Sequence, residues 1–433
     1  MRQADSMKPM KRKINWVGRL CGLAVLSGLL LCGACRPAEG PKETCMTETE
    51  TTPHGQTETE TEAETTGEPV DRFTSLTIAG NPIVDYRIVY AQDPLLLAKE
   101  TIQKGDLIAD CDFDRQSAEK LRDIIESVSG VRLEVVCDMD ADSTEREITV
   151  GMASRSATYT VCNGLPTDGY RLMTVKNTLA VCGETYGNTW HAMDALEAHL
   201  RDALAKGKAK YDLGADFRLD GTYRLTRIGC VGDSITVGWN EDYYNYDYLT
   251  YPKQLGYLLW RDAVVTNYGE GGREMRTDAG NAYTKSAAWK ACLNDAAGLD
   301  VVTIMLGTND ARYVRNEQWD AYSDRMFKAS AKTIAENLRQ KNPNVKILFL
   351  SSPEIFEERD GTVGGAIRAI VESQKGIPTF LAAKGLTVDF FDMNALLQNA
   401  DYTKPDGIHL TVEGLAYFAK QLAPTIEKTY LAH

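Results

Sequence analysis

The stretch IGCVGDSIT, residues 228–236, decides the fold of the C-terminal half of this 433-residue chain. Its first four residues have the apolar composition of a buried β-strand, and the glycine, aspartate and serine that follow mark the end of that strand. Gly232 permits a tight turn there. A helix that begins at Ser234 would direct its unpaired N–H groups and its positive end at negative charge developing beside the Ser234 hydroxyl.

Four more apolar runs follow the first and alternate with helical patterns. Runs that are apolar along their whole length are typical of strands buried on both faces of a parallel sheet, so an α/β architecture is predicted. In such a sheet, reactive groups gather just beyond the carboxyl ends of the strands. The five predicted strands span residues 228–231, 263–266, 301–306, 345–350 and 386–391.

Three further polar blocks stand where reactive groups are expected. NYGEGG (267–272) follows the second run, and its residues without side chains let the backbone approach a substrate. GTND (307–310) follows the third run and places an amide donor at a strand tip. DGIH (406–409) precedes the last predicted helix. Its spacing lets Asp406 and His409 face one site, where the carboxylate orients the imidazole and the other ring nitrogen reaches a hydroxyl.

The four blocks, in this order, resemble the signature of the SGNH or GDSL hydrolases from residue 225 to the C-terminus. The resemblance implies a flavodoxin-like, three-layer α/β domain with a parallel sheet. It also implies a serine esterase in which Ser234 is the nucleophile, His409 the general acid and base, and Asp406 the group that orients the imidazole.

The same resemblance implies an oxyanion hole made of the Ser234 backbone N–H, the Gly272 backbone N–H and the Asn309 side-chain amide. Gly269 and Gly271 stand close to Gly272, so the choice of glycine depends on how the loop is aligned with the family. The implied reaction is acyl transfer to water, which needs no metal and no organic cofactor.

The number of histidines and the residues around Ser234 favour a serine esterase of this type over an α/β-hydrolase. Glycoside hydrolysis is the second alternative. His409 and His433 are the only histidines after His199, so the C-terminal half offers one plausible base. The α/β-hydrolase elbow G-x-S-x-G fits poorly, because Thr236 stands where that motif requires glycine. Paired carboxylates for glycoside hydrolysis stay open as an alternative, although no spacing singles out a pair.

The preceding part of the chain predicts a smaller α/β accessory domain. Its EITVG, DGYRLMTVKNTLAVCGE and GNTWHAMDALEAHL stretches resemble the small domain that precedes the catalytic barrel in bacterial hexosaminidases and α-glucuronidases. That domain is non-catalytic, so the resemblance implies a carbohydrate setting only. His191 and His199 are interpreted as partly exposed helix residues rather than metal ligands. The predicted strands span 86–90, 131–137, 147–150, 170–175 and 178–182, with helices over 116–128 and from Asn188 onward.

The N-terminus predicts export. A basic stretch and the apolar run 20–31 precede Cys35, as in a bacterial lipoprotein signal in which the cysteine is lipidated. Cys32 departs from that pattern, so ordinary signal cleavage stays an alternative. The predicted organisation is a signal at 1–35, a disordered Thr/Glu-rich tether at 36–70, the accessory domain at 71–221 and the hydrolase domain at 222–433.

The charge and the cysteines restrict the partners and the compartment. The formal net charge is −13, and an acidic surface repels phosphate backbones, so no nucleic acid partner is expected. Membrane contact is expected only through the N-terminal lipid anchor, and the oligomeric state is not readable. Cys230 is predicted to be a buried thiol. Four cysteines of the accessory domain could form two disulfides, with the pairing left open; they are Cys111, Cys137, Cys162 and Cys182.

These features predict a secreted or surface-anchored esterase that removes O-acetyl groups from carbohydrate. Trp239 is followed by a tyrosine-rich loop, and such rings can stack on sugars, although packing on the domain itself is equally compatible. Two alternatives stay open. One is a lipid-directed esterase such as a lysophospholipase, and the other is a non-catalytic glycan-binding surface module.

Overall fold

The computed structural model describes residues 70–92, 111–238, 249–316, 318–356 and 363–431. Contacts group residues 64–433 into one compact unit. Cys35, Trp239 and the predicted signal and tether lie outside the described residues, so these interpretations stay predictions. Within the described ranges, no helix has both the length and the apolar character that crossing a bilayer demands.

The accessory domain is a mixed α/β structure. Its strands are β1 (Ser75–Ile78), β2 (Asn81–Pro82), β3 (Arg87–Tyr90), β4 (Val135–Cys137), β5 (Glu147–Val150), β6 (Gly169–Val175), β7 (Thr178–Gly183), β8 (Lys210–Leu213) and β9 (Arg218–Thr222). Its helices are α1 (Phe113–Ser129), α2 (Ser156–Cys162) and α3 (Tyr186–Ala205). The main sheet has the order β4-β3-β5-β7-β6-β9, and β2-β1-β8 form a smaller sheet. Strands β4, β3, β5 and β7 run parallel, whereas β6 runs antiparallel to both of its neighbours.

Local sequence signals explain most of these elements. The predicted hairpin is confirmed, because Lys176 takes a positive φ of 56° between the antiparallel strands β6 and β7. Helix α3 begins two residues before the predicted Asn188, since the Thr185 side chain caps it by accepting from the Asn188 N–H. Helix α1 ends at Gly130, which takes the left-handed conformation typical of that position.

Two features of this domain differ from the sequence-based expectations. Strand β4 is shorter than predicted, because Gly130 ends α1 and the chain reaches the sheet only where the Ile88 N–H donates to the Glu134 carbonyl. Cys162 and Cys182 form a disulfide. Cys111 and Cys137, which are both buried, are not joined in the second bridge that the four cysteines could have formed.

The hydrolase domain contains a fully parallel five-stranded sheet. Its strands are β10 (Thr226–Gly232), β11 (Ala263–Gly269), β12 (Val301–Met305), β13 (Lys346–Leu350) and β14 (Asp389–Phe391). The spatial order is β11-β10-β12-β13-β14. Counted from β10, this is the flavodoxin-like order 2-1-3-4-5, whose ligand crevice lies at the carboxyl ends of β10 and β12.

Helices cover both faces of this sheet and give the three layers that the resemblance implies. The helices are α4 (Ser234–Val237), α5 (Tyr251–Leu258), α6 (Ala287–Asp295), α7 (Ala311–Arg315), α8 (Ala321–Lys341), α9 (Val363–Lys375), α10 (Ile377–Ala382) and α11 (Val412–Ile426). In β12, Val302 and Ile304 pack with α6, α8 and α10, whereas Val301 and Met305 pack with α5 and α11. The core is therefore two apolar layers separated by the sheet.

Burial of the strands matches the prediction in the centre of the sheet but not at its edges. Every residue of β12 is buried. The edge strands β11 and β14 are partly exposed, because each has a neighbouring strand on one side only. Cys230 in β10 is fully buried as predicted, and burial raises the pKa of its thiol to about 12.

The two domains pack directly against each other. The Arg227 guanidinium forms a 2.8 Å ion pair with Asp168. The rings of Trp190 and Trp260 meet edge to face, with 5.4 Å between their centroids. The Arg261 guanidinium lies 4.2 Å from the Trp190 ring centroid. A residue from each domain contributes to every one of these contacts, so a defined interface joins the domains.

Candidate active site

Ser234 lies at the carboxyl end of β10, beside the crevice that the strand order predicts. Gly232 ends the strand, and a Cβ there would lie 2.0 Å from the Thr236 Oγ1. Lack of space for a side chain therefore requires glycine at this turn. The close approach folds the chain back at once and leaves Ser234 8% exposed.

Helix α4 begins at Ser234 as predicted but is very short. It contains the four residues Ser234–Val237 and ends at Gly238, whose φ is 79°. The positive end of a helix comes from aligned peptide dipoles over several turns, so a single turn contributes little of it. The expected electrostatic help from this helix therefore reduces to individual N–H groups near Ser234.

A chain of hydrogen bonds joins Ser234, His409 and Asp406. The Ser234 Oγ lies 2.9 Å from the His409 Nε2, and the His409 Nδ1 lies 2.6 Å from the Asp406 Oδ2. An ionised carboxylate can only accept, so Nδ1 carries the proton and Nε2 is the acceptor for the serine hydroxyl. This tautomer is the one that can remove the hydroxyl proton.

The charge of Asp406 is held in place by its surroundings. Burial would raise the pKa of its carboxyl, but hydrogen bonds from the His409 side chain and from two backbone N–H groups lower it below the usual value. Those N–H groups belong to Ile408 and His409, and each donates to Oδ1 over 2.9 Å. Both carboxylate oxygens are thereby fixed, although the side chain is partly exposed to solvent.

The turn that carries Asp406 and His409 is tied to the rest of the site through its backbone. The Lys404 N–H donates to the His409 carbonyl over 2.7 Å, closing the turn. The Phe356 N–H donates to the Gly407 carbonyl over 2.7 Å, which connects the turn to the segment after β13. Residues that are 175 apart in sequence are thus brought together by the ends of three strands.

The Asn309 amide follows β12 and faces the same crevice. Its Nδ2 donates to the Arg273 carbonyl over 2.9 Å and has a longer contact of 3.5 Å with the Asp233 Oδ2. The short bond fixes the plane of the amide. The second N–H has only the long contact, so it can donate to an oxyanion without breaking a short hydrogen bond.

The glycine loop after β11 lies next to Ser234. A Cβ on Gly271 would lie 3.8 Å from the Ser234 Cβ, so the Gly271 backbone is directly beside the hydroxyl-bearing residue. Gly272 has a φ of 72° and open space where a side chain would be, so its conformation requires glycine. Gly269 packs against α4, because a Cβ there would lie 2.3 Å from the Val237 nitrogen. The role of the Gly272 N–H stays a prediction.

Asp310 is a structural member of the site that the sequence reasoning missed. It is fully buried, and its two oxygens accept from the Met275 and Arg276 N–H groups over 2.8 and 3.2 Å. Asn309 and Asp310 together therefore hold the segment that follows the glycine loop, from Arg273 to Arg276. The signal in the sequence was a carboxylate at the tip of a wholly apolar strand, where burial demands backbone donors.

Burial raises the pKa of Asp310 to about 7, although the two N–H groups favour the charged form. The neighbouring Asp233, also missed, is fully buried, and burial raises its pKa to about 6. Its side chain accepts from the Ile235 N–H over 3.0 Å and caps α4. The two buried acids, Asp233 and Asp310, therefore fix the backbone around Ser234.

Replacing Asp310 with asparagine is expected to lower kcat for ester hydrolysis by about 10- to 100-fold, with little change in KM. An asparagine turns an amide donor toward one of the two loop N–H groups, so the loop loses one of its attachments. Steady-state kinetics on 4-nitrophenyl acetate measures the effect. Asp71→Asn is the control, since it changes an exposed aspartate outside the site.

The two histidines of the accessory domain, His191 and His199, lie apart from this cluster. The His191 ring stacks on Tyr223 with 3.4 Å between centroids, and the His199 Nε2 lies 2.6 Å from the Tyr211 hydroxyl. Both histidines belong to α3 of the accessory domain. No group of three or more histidine, cysteine or acidic side chains could hold a metal ion within the ranges that the structure describes.

Comparison with known proteins finds a family match in the C-terminal part of the chain. Residues 230–417 match the GDSL-like Lipase/Acylhydrolase family model. No curated protein matches the chain. The C-terminal part of the chain is therefore similar to GDSL-like lipases and acylhydrolases.

Solved structures similar to this half of the chain include esterases at low sequence identity. A carbohydrate acetylesterase, Est24 from Sinorhizobium meliloti, is 19% identical with a TM-score of 0.36, covering 47% of this chain and 100% of that one. An aryl esterase from M. smegmatis is 23% identical with a TM-score of 0.35, covering 48% and 100%. An active site mutant of a family two carbohydrate esterase from Clostridium thermocellum is 16% identical with a TM-score of 0.38, covering 49% and 68%.

Proposed function

We propose that this protein is a serine esterase that uses Ser234, His409 and Asp406 as its catalytic triad. The observation that carries the proposal is the continuous hydrogen-bond chain from the Ser234 hydroxyl through both ring nitrogens of His409 to Asp406. Nucleophile, base and orienting group thus stand in the order that this chemistry requires.

In the first half of the reaction, the Ser234 Oγ attacks the carbonyl carbon of an ester while its proton passes to the His409 Nε2. The tetrahedral oxyanion faces the N–H groups of Ser234 and Gly272 and the Asn309 amide. Collapse of this intermediate breaks the bond to the alcohol, which takes the proton from His409. The acyl group stays on Ser234 as an ester.

In the second half, His409 removes a proton from water, and the resulting hydroxide attacks the acyl carbon. The second tetrahedral intermediate collapses and returns the proton to the Ser234 oxygen, which releases the carboxylic acid. Asp406 stabilises the imidazolium in both halves because its carboxylate stays ionised.

A polar alcohol, most simply an O-acetylated carbohydrate, is the substrate we favour. Charged side chains surround the loop beside Ser234, including the ion pairs Arg273–Glu270 and Arg276–Asp278. Laying a long alkyl chain over such groups would remove them from water at a cost, whereas sugar hydroxyls can hydrogen-bond to them. The resemblance of the accessory domain to domains of carbohydrate-active enzymes supports the same choice.

The proposed location is outside the cell, with residues 1–35 as the signal and Cys35 as the lipidated residue. The disulfide between Cys162 and Cys182 supports this location, because such bonds persist in oxidising compartments. Trp239 is proposed to contact the sugar at the mouth of the site. Mass spectrometry of the mature N-terminus distinguishes lipidation at Cys35 from ordinary cleavage.

A fluorophosphonate probe followed by an acyl-chain panel tests the function. The probe is expected to label Ser234, and turnover is expected to be fastest on acetyl esters of 4-nitrophenol and on acetylated xylan. Absence of labelling would favour the non-catalytic glycan-binding module. Preference for octanoyl or palmitoyl esters would instead favour the lipid-directed esterase.

Replacing Asn309 with alanine is expected to lower kcat by about 10²- to 10³-fold, because one donor to the oxyanion is removed. KM is expected to change little, since the interaction forms mainly in the transition state. Steady-state kinetics on 4-nitrophenyl acetate provides the measurement. Asn316→Ala, which alters the residue that ends α7, serves as the control. Equal losses in both variants would argue against the proposed role.

A further inference from the structure

The two glycines nearest Ser234 have no side chains whose packing could hold them in one conformation. Gly271 and Gly272 are both exposed, and there is open space where a Cβ of Gly272 would be. Glycine also loses more backbone freedom on ordering than any other residue. The conformation in which the Gly272 N–H would serve the oxyanion must therefore be set by the residues on either side, Glu270 and Arg273.

Glu270 and Arg273 form an ion pair across these two glycines. The Arg273 Nε donates to the Glu270 Oε1 over 2.8 Å, and a second guanidinium nitrogen, Nη2, contacts the same oxygen. The Glu270 side chain is 28% exposed and the Arg273 side chain 26%, so water screens the pair only in part. The pair thus closes a four-residue loop whose two inner residues are glycines.

Glu270 is itself attached to two other parts of the hydrolase domain. Its Oε2 accepts from the Ala288 N–H over 3.0 Å in the first turn of α6, and its own N–H donates to the Gly232 carbonyl over 3.0 Å. Burial raises the pKa of the Glu270 carboxyl, but hydrogen bonds from the Ala288 N–H and the Arg273 guanidinium lower it below the usual value. The carboxylate therefore stays charged near neutral pH and holds Arg273 against a fixed framework.

Arg273 connects this ion pair to the second oxyanion donor. Its carbonyl accepts the 2.9 Å hydrogen bond that fixes the Asn309 amide. Because Gly272 directly precedes Arg273, a shift of Arg273 would move the Gly272 N–H and the Asn309 amide together. Misplacing a catalytic group by about 1 Å can cost up to about 10²-fold in rate, so the position of Arg273 bears directly on the oxyanion hole.

We propose that Glu270 is a positioning residue that acts through Arg273 and holds the Gly272 N–H and the Asn309 amide where they receive the oxyanion. The proposal rests on the serine esterase function proposed above. Glu270 takes no part in bond making, since its two oxygens are engaged by Arg273 and Ala288. Its effect is to order the glycine pair before the substrate binds, so that this ordering adds nothing to the barrier.

Glu270→Gln tests the proposal by removing the charge from the ion pair while keeping the size of the side chain. Glutamine has one oxygen for two donors, so we expect kcat/KM for 4-nitrophenyl acetate to fall by about 10- to 100-fold. Phenylboronic acid provides the second measurement. Its boron accepts the Ser234 Oγ as the hydroxyl proton passes to His409, and the tetrahedral adduct places an oxygen at the oxyanion position. Its Ki should rise by the same factor.

A double-mutant cycle with Asn309→Ala separates positioning from a general effect on the fold. If Glu270 acts through Arg273 on the Asn309 amide, the loss in kcat/KM caused by Glu270→Gln should be smaller by about threefold or more when that amide is absent. A merely structural role would give the same factor in both backgrounds. Arg273→Met removes the other half of the pair and should reproduce both changes. It decides the outcome if melting temperatures show that Glu270→Gln is not folded.

Glu372→Gln is the matched control, because Glu372 also pairs with a basic residue three positions later, Lys375, on the exposed surface of α9. It should leave kcat/KM and Ki unchanged. The proposal is wrong if Glu270→Gln and Arg273→Met keep both quantities within about twofold of the parent, or if the cycle is additive. A parent that neither hydrolyses the ester nor binds phenylboronic acid would instead overturn the esterase function on which the proposal rests.

Discussion

Replacing Ser234 with alanine is expected to lower kcat for ester hydrolysis by about 10⁶-fold, to the level of the reaction without a nucleophile. The Ser234 Oγ is the atom that the His409 Nε2 contacts at 2.9 Å, and alanine leaves the base with nothing to deprotonate but water. Release of 4-nitrophenol from 4-nitrophenyl acetate measures the loss. Labelling by a fluorophosphonate probe is expected to disappear in parallel.

The control for this variant is Ser75→Ala, which removes an exposed serine from β1 of the accessory domain. It should retain both labelling and turnover. Melting temperature separates loss of chemistry from loss of fold, because Ser234 is nearly buried and its replacement leaves a small void. A folded Ser234→Ala variant with more than a few per cent of the parent activity would exclude Ser234 as the nucleophile.

Much of the hydrolase fold could be predicted from the sequence because its central strands are apolar on both faces. The apolar runs that correspond to β10, β12 and β13 indicated buried strands. The observed strand ends lie within two residues of the predicted ones. At β14 the prediction began three residues early, at 386 instead of Asp389. An edge strand is stabilised on one side only, so its ends depend on neighbours that a single sequence does not reveal.

The convergence of Ser234, His409 and Asp406 was predictable because the four sequence blocks together resemble the SGNH signature, which implies these three residues at one site. The support given by Asp310 was not, since its partners Met275 and Arg276 belong to a loop more than 30 residues earlier. The disulfide pattern could not be predicted for a related reason. Cysteine counts limit which bridges can form, but only three-dimensional proximity decides which of them do.

The Asp406 carboxylate of the proposed triad is partly exposed, not deeply buried. The Asp406 side chain is 40% exposed, whereas the His409 ring is 17% exposed. Water screens the attraction between an exposed carboxylate and the imidazolium, so part of the stabilisation comes from orientation instead of charge. The Ile408 and His409 N–H groups that fix the Asp406 Oδ1 supply this orientation.

Replacing Asp406 with asparagine is therefore expected to lower kcat by about 10³- to 10⁴-fold. Asparagine keeps its Oδ1 on the two backbone N–H groups and turns its amide donor toward the His409 Nδ1. That nitrogen must then accept, so the proton moves to Nε2, which can no longer take the proton of Ser234. Kinetics on 4-nitrophenyl acetate should show the loss in kcat with KM little changed. Asp401→Asn, an exposed change just before the same turn, is the control. If Asp406→Asn retained activity within about tenfold of the parent, the tautomer would not be set by Asp406, because a fixed wrong tautomer costs far more.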